Sequence, residues 1–179
     1  MVAGPPSHTH PFVQLAIDAI DAYVRDFQFL TPPESLFEGF PDLRRRAGVF
    51  VSLKKQGELR GCIGTIEPVR ATLAVEIIEN AISAASKDPR FRPVDEDELA
   101  VLRVSVDILG APERVAGPGD LDVRRYGVIV RAGGKRGLLL PDLEGIASVE
   151  AQLSIARKKG GIGESEHVEL YRFVVERYF

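Results

Sequence analysis

The chain has 179 residues, 45% hydrophobic and 27% charged, which predicts a globular protein with room for one domain. A formal net charge of −3, with acids and bases scattered along the chain, excludes the basic footprint of a nucleic-acid-binding protein. One cysteine, no signal-like start and no run of about 20 apolar residues lead us to expect a cytoplasmic protein without a membrane span.

The first 41 residues predict a tail, a helix and a connection. Residues 1–8 are small, aperiodic and rich in proline, so we expect a flexible N-terminal tail. Thr9 is placed to cap a helix that begins near Pro11. The apolar stripe of this helix contains Phe12, Leu15, Ala16, Ala19 and Tyr23. Prolines and a glycine interrupt every period from Leu30 to Pro41, which indicates a surface connection.

A β-hairpin is predicted over residues 49–65. Its first strand has the two-residue period of a strand with one buried face, with Val49, Val51 and Leu53 inward. A turn at residues 56–58 leads into the return strand, which reads LRGCIGT over residues 59–65.

The clearest helix of the chain is predicted over residues 71–87, and Pro89 ends it. Its inward face is expected to contain Leu73, Ala74, Ile77, Ile78, Ala81, Ala84 and Ala85. Its outward face is expected to contain Glu76, Glu79, Asn80, Ser83 and Lys87. One apolar and one polar face is the pattern of a helix that covers a core.

A second group of strands is predicted after this helix. Residues 102–108 alternate apolar and polar side chains, which indicates another strand with one buried face. The hydrophilic stretch at residues 111–122 is expected to separate two lobes. Residues 127–131 and 136–141 form a second hairpin around a Gly-Gly turn.

The chain closes with a helix over residues 148–159, which Gly160 and Gly161 stop, and one final strand, VELYRFVVERYF. One-sided strands, hairpins and flanking helices predict the α+β class, with antiparallel or mixed sheets covered by helices. We expect a single domain over residues 9–179, with a larger N-terminal lobe to about residue 115 and a smaller lobe after it.

The segment LRGCIGT holds the one cysteine of the chain. In an extended strand, Arg60, Cys62 and Gly64 share one face, while Leu59 and Ile63 turn to the core. A guanidinium beside a thiol favours the thiolate and lowers the thiol pKa. Glycines, here Gly61 as well as Gly64, can expose backbone N–H groups to a ligand. The alternative is that Cys62 packs in the core as a small hydrophobic residue.

LRGCIGT resembles the signature of the AMMECR domain family, and the resemblance continues through six further segments. These are Ala84-Ala85, DPRFRP at residues 88–93, Val104-Ser105, Tyr126–Val128, LLLP at residues 138–141 and Lys159–Gly161, followed by the aromatic C-terminal strand. The resemblance implies a two-lobed α+β fold with a cleft near RGCIG.

The same resemblance implies where a site lies and which proteins accompany it. The matching site positions are Arg60, Gly61, Cys62, Gly64, Asp88, Arg90 and Phe91. Prokaryotic members resemble component A of the AmmeMemoRadiSam system, which includes a Memo-like protein and a radical-SAM protein. The family supplies no established reaction. For Asp88, the alternative is a bond from a nearby backbone N–H or a surface pair with Arg90.

Other motifs carry less chemistry. A nucleophilic cysteine needs a base, and the histidines are His8 and His10 near the start and His167, expected in an exposed loop. No spacing fits a metal site, so we expect neither metal nor cofactor. GGIGES at residues 160–165 follows a helix and lacks the Lys-Ser/Thr ending of a phosphate loop, which indicates a helix stop.

Three functions are compatible with these observations. The preferred one is an auxiliary component of a Memo and radical-SAM linked modification system, holding a small molecule, peptide or partner protein at a cleft around LRGCIGT. The second is a cysteine-dependent transferase or hydrolase that uses Cys62 as the catalytic residue, with Arg60 or backbone N–H groups stabilising negative charge. The third is a regulatory adaptor that acts through protein–protein contacts.

Overall fold

The computed structural model describes residues 9–179, which contain four α-helices and eight strands. Residues 1–8, for which the sequence predicts a tail, lie outside the described residues. The helices are α1 (Pro11–Asp26), α2 (Glu34–Gly39), α3 (Leu73–Ser86) and α4 (Val149–Lys159). None of them is long and apolar enough to cross a membrane.

The strands form two four-stranded sheets, which confirms the predicted α+β class. They are β1 (Gly48–Lys55), β2 (Glu58–Thr65), β3 (Leu102–Leu109), β4 (Glu113–Val115), β5 (Gly127–Ala132), β6 (Lys135–Leu139), β7 (Glu169–Phe173) and β8 (Val175–Tyr178). The strand orders are β2-β1-β3-β8 and β4-β7-β5-β6. Both predicted hairpins, β1–β2 and β5–β6, pair antiparallel.

The chain divides into two compact units. The first contains the described residues up to Ile108 together with Arg177–Phe179, and the second contains Leu109–Glu176. In the first unit, the apolar faces of α1 and α3 share a core with the inward residues of the sheet, such as Val51 and Val106. In the second, α4 packs on the β5–β6 hairpin around Val128, Val130 and Ala156.

The start of α1 matches the prediction except at its cap. The helix begins at Pro11, but its N-cap is His10, whose Nδ1 accepts a hydrogen bond of 3.3 Å from the Phe12 N–H. Thr9, the predicted cap, precedes this position. The connection after Leu30 also contains more structure than predicted, because α2 forms there and buries Phe37 in the core.

The predicted outward face of α3 is wrong at Glu76 and Asn80, which are both buried. Glu76 accepts hydrogen bonds from the backbone N–H groups of Val69 and Arg70, at 3.0 and 2.8 Å. Thr65 donates its hydroxyl to Glu76 and accepts from Asn80. A buried carboxylate is tolerated where donors surround it, and the loop before α3 supplies them.

A bulge in β2 overturns the expectation that Leu59 faces the core. Leu53 lies opposite Gly61, but Lys54 lies opposite Leu59, so Arg60 is an additional residue in the return strand. Directly opposed residues share a face of the sheet. Leu59 therefore lies on the outer face with Lys54 and is 41% exposed, whereas Ile63, beyond the bulge, packs against the core as predicted.

The strands that follow α3 also depart from the predictions in three places. The hydrophilic stretch at residues 111–122 contains β4. The single final strand is two strands, β7 and β8, which lie in different sheets. They separate at Val174, whose carbonyl accepts a hydrogen bond from the Gly110 N–H at 2.9 Å instead of pairing within either strand. Asp107, predicted on the polar face of β3, is buried and paired with Arg177.

Glycine lets β2 approach α3 and Phe50. A Cβ atom on Gly61 would lie 2.3 Å from the Ala84 carbonyl oxygen at the C-terminal end of α3. A Cβ atom on Gly64 would lie 2.3 Å from the ring of Phe50, the residue directly opposite it on β1. Both glycines of the signature strand are therefore required by packing.

We expect Gly61→Ala to lower the free energy of unfolding by about 1–3 kcal/mol, the usual cost of overpacking a core. Gly39→Ala is the matched control, because among the described residues, apart from its chain neighbours and the backbone of its own helix, no atom lies within 4 Å of the added methyl group. Urea unfolding of both variants measures the difference. Equal stability of Gly61→Ala and the wild type would contradict the close approach of β2 to α3.

Candidate functional site

The side chains of Asp88 and Arg90 close the edge of the sheet at Cys62. Strand β2 is an edge strand. The Cys62 backbone N–H donates to Asp88 Oδ2 at 2.9 Å, and the Cys62 carbonyl accepts from Arg90 Nη2 at 3.3 Å. These side chains occupy the hydrogen-bonding groups that an edge strand otherwise offers to another strand. The loop after α3 therefore fixes the backbone of the signature segment.

Asp88 is the centre of this arrangement and is only 4% exposed. Arg90 donates from Nε to Oδ1 at 2.9 Å, from Nη2 to Oδ2 at 2.7 Å and from its backbone N–H to Oδ1 at 3.1 Å. These bonds from Arg90, followed by the Cys62 N–H, hold the pKa of Asp88 well below its usual range although burial opposes them. Both alternatives weighed for Asp88 occur together, because its carboxylate accepts from the Cys62 backbone N–H and pairs with Arg90, but the carboxylate is buried.

Arg90 is held by Asp88 but remains half exposed, with 55% of its side chain accessible. Its guanidinium carbon lies 5.4 Å from the centre of the Phe91 ring, within the range of a cation–π contact. Two of its three nitrogens are used by Asp88, while Nη1 has no hydrogen-bond partner within residues 9–179. A cation with a free donor is thus presented at the surface in one orientation.

The thiol of Cys62 is not activated. Its side chain is half-buried, and Ser52 Oγ, directly opposite on β1, donates to Sγ at 3.2 Å. Burial raises the pKa of the Cys62 thiol, although the Ser52 hydrogen bond and the charge of Arg90 act in the other direction. The predicted lowering of the thiol pKa is therefore wrong, because desolvation outweighs the nearby cation.

The cation predicted beside the thiol is also a different arginine. Arg60, the bulged residue, donates from Nε and Nη2 to the two carboxylate oxygens of Glu98, at 3.0 and 2.8 Å. It also donates to the backbone carbonyls of Arg92 and Pro93. Lys55 bonds Glu98 as well, and hydrogen bonds led by those from Arg60 hold the pKa of this buried carboxylate well below its usual range.

The structure thus divides the predicted site residues. Cys62, Asp88, Arg90 and Phe91 lie together, and with Ser52 they are called the Cys62 site below. Arg60 instead donates to the carbonyl of Arg92, in the loop that begins at Asp88. Gly61 packs against the C-terminal end of α3, and Gly64 packs against the ring of Phe50.

Two residues of this region were not predicted, Ser52 and Glu98. Ser52 follows from the hairpin register once the strands are aligned. Glu98 belongs to a capping box with Asp95 at the start of a 3₁₀ helix, a spacing that the sequence contains. His10 stacks on Tyr178 at the start of α1, and His167 lies in an exposed loop as predicted. Within residues 9–179, the hydrogen bond to Sγ comes from Ser52 alone.

Comparisons with known proteins identify relatives of the whole described chain. The AMMECR1 family profile matches residues 13–178. A protein of Thermotoga maritima is 54% identical over 171 residues, which cover 94% of this chain and 97% of that protein. A protein of Clostridium acetobutylicum is 48% identical over 94% of this chain, but this chain spans only 36% of its length.

A solved structure shares the fold. The crystal structure of the uncharacterized protein PH0010 from Pyrococcus horikoshii matches with a TM-score of 0.84 and 33% identity, covering 93% of this chain and 88% of that one. The family resemblance inferred from LRGCIGT and DPRFRP is confirmed by these matches.

We expect Asp88→Asn to lower the free energy of unfolding by about 1–3 kcal/mol at pH 7, because an amide cannot accept all the bonds that Arg90 and Cys62 donate. The pKa of Asp88 is lower in the folded than in the unfolded protein. Its stabilisation is therefore fully present above the unfolded value of about 3.9 and is lost progressively as the pH falls from that value towards the lower folded pKa. Urea unfolding from pH 7 to pH 3 should show the gap between the two proteins narrowing below about pH 4, and a gap that stays constant would contradict the assignment.

Alkylation by iodoacetamide should report the raised pKa of Cys62. The rate should rise with a midpoint above that of a free thiol, about 8.5. Because Arg90 favours the thiolate, Arg90→Gln should move the midpoint higher. Arg60→Gln is the matched control, since Arg60 faces Glu98, and should leave the midpoint unchanged. A midpoint below that of a free thiol, or a response to Arg60 alone, would restore the sequence-based interpretation.

Proposed function

The chain belongs to the AMMECR1 family, and on that premise we propose that it is an auxiliary, non-catalytic component of a Memo and radical-SAM linked modification system. In this proposal it holds a small molecule, a peptide or a segment of a partner protein at the Cys62 site. The companion proteins come from the family resemblance. The binding role comes from the geometry of the site.

The observation that carries the binding role is the fixed guanidinium of Arg90. Its orientation is set by Asp88 and the Cys62 carbonyl, so little side-chain entropy remains to be lost when a ligand binds. Nη1 is free to donate to an oxygen of the ligand, and Phe91 supplies an apolar surface beneath the cation. A carboxylate, phosphate or carbonyl group next to an apolar group fits these two features.

The state of the thiol argues against a nucleophilic role for Cys62. A cysteine nucleophile acts as the thiolate and needs a base or a lowered pKa. Here burial raises the pKa of the thiol, and Asp88, which among the described residues is the one acid at hydrogen-bonding distance of Cys62, is already neutralised by Arg90. In the proposed function the thiol is a contact surface, and the cysteine-dependent transferase and the regulatory adaptor become outcomes of the test.

Co-expression with a Memo-like protein and a radical-SAM protein, followed by affinity capture and an activity assay, tests the proposal. We expect one of the two companions to be retained. Arg90→Lys keeps a cation for Asp88 but loses the fork geometry, so it should weaken retention about tenfold, in line with the loss of a charge-assisted hydrogen bond. Arg92→Lys is the matched control, because Arg92 is exposed and paired only with Asp95 among the described residues.

Two results would overturn the proposal. Steady turnover of a substrate by the isolated protein, abolished by Cys62→Ala, would establish the cysteine-dependent enzyme instead. Retention that responds to neither Arg90→Lys nor Cys62→Ala would favour an adaptor that uses another surface. Thermal unfolding of each variant, alone and at the same concentration, separates loss of binding from loss of folding.

A further inference from the structure

The first helices of this protein carry more negative than positive side chains. Residues 9–39, which contain α1 and α2, hold five carboxylates and one arginine, a formal charge of −4. The whole chain carries −3. This segment therefore carries a local excess of negative charge, and the field that it produces attracts cations to one region of the first unit.

An apolar groove lies within the same segment. It encloses about 350 Å³ between the N-terminal half of α1 and the chain at residues 30–36. Its apolar lining is formed by Pro11, Leu15, Leu30, Pro32, Pro33 and Leu36. The charged side chain among the lining residues is Asp18, which is exposed and accepts a 2.7 Å hydrogen bond from Gln14.

Exposed aromatic rings also lie at the C-terminal end of α1. Phe27 and Phe29 are 76% and 63% exposed, and both rings pack edge-on against Tyr23. Phe29 directly precedes Leu30, which lines the groove. Phe27 ends the helix with a φ of 54°, a left-handed conformation that glycine usually adopts. A large exposed ring at this position is not explained by the stability of the helix end.

Glu34 of α2 is paired with Arg44, but the carboxylates along α1 leave a negative surface. Arg25, the one base of the segment, is bound by Asp21 and by Glu96. Asp26 ends α1, where the helix dipole is also negative and a carboxylate is unfavourable. Asp18 in the groove wall adds to the same sign. A cation bound here would relieve repulsion that the free protein carries.

We propose that the groove and the aromatic rings beside it, called the α1 surface below, bind an apolar segment of a partner protein that carries lysine or arginine. The groove accepts apolar side chains, the aromatic rings accept both apolar groups and cations, and Asp18 and Asp26 accept the charge. A peptide is favoured over a small molecule because the charge and the rings extend along α1 beyond the groove. This inference goes beyond the proposed function and does not depend on the Cys62 site.

Fluorescence anisotropy with two labelled decapeptides tests the inference. In the first peptide, leucines and prolines alternate with lysines; in the second, every lysine is replaced by glutamate. We expect the lysine peptide to bind at least about tenfold tighter at low salt and to lose affinity as salt rises, since surface charges are screened. Asp18→Asn should weaken the lysine peptide about threefold or more, the scale of one exposed charge pair. Phe29→Gln should weaken it as well.

The controls make each outcome decisive. Glu58→Gln removes an exposed carboxylate of the first unit outside residues 9–39 and should leave binding unchanged. Arg90→Lys should also leave it unchanged, so failure here is distinguishable from failure at the Cys62 site. Equal affinity for the two peptides, no binding of the lysine peptide, or equal effects of Asp18→Asn and Glu58→Gln would overturn the inference.

Discussion

The signature region depends on the hydrogen bonds that the buried carboxylate of Asp88 accepts from Cys62 and Arg90. This carboxylate joins three parts of the chain: the edge strand through the Cys62 N–H, the loop after α3 through its own backbone, and the surface through Arg90. A carboxylate removed from water is costly unless hydrogen bonds surround it. Asp88 meets that condition, and in doing so it fixes both Arg90 and the backbone of LRGCIGT.

The same physical rule recurs elsewhere in the first unit. Glu76 accepts hydrogen bonds from backbone N–H groups of the loop before α3. Glu98, at the end of the 88–98 segment, accepts hydrogen bonds from Arg60 and Lys55. Each buried carboxylate ties an irregular segment to a regular element. These segments are consequently held in one arrangement without regular secondary structure. In this chain the signature region combines such polar contacts with glycines that permit close packing.

Most elements could be predicted because each buries one face in the core of its own unit. Such one-sided patterns, as in the alternation of apolar residues in β1 and the apolar face of α3, predicted both hairpins, the main helices and the α+β class. The short strand β4 and the short helix α2 were not predicted, because few apolar residues mark them. The break between β7 and β8 at Val174 was not predicted, because a continuous run of strand-forming residues, VELYRFVVERYF, does not reveal a change of sheet.

Four of the predicted site residues lie together, Cys62, Asp88, Arg90 and Phe91, but their contacts were not predicted. A bulge of one residue at Arg60 reverses the faces of the strand before it, and no local pattern reveals it. Arg60 therefore meets Glu98, and the cation near the thiol comes from Arg90 in a loop 28 residues away in sequence. The sign of the thiol pKa also depends on burial, which is a property of the fold rather than of the segment.

Amide hydrogen exchange at Cys62 tests the central claim most directly. Among the described strands, none lies on the outer side of β2, so an edge amide that faced solvent would exchange rapidly. The account predicts that the Cys62 amide is as strongly protected as amides bonded between β1 and β2, because Asp88 holds it. Rapid exchange of the Cys62 amide, with protected neighbours, would show that Asp88 does not hold the signature strand.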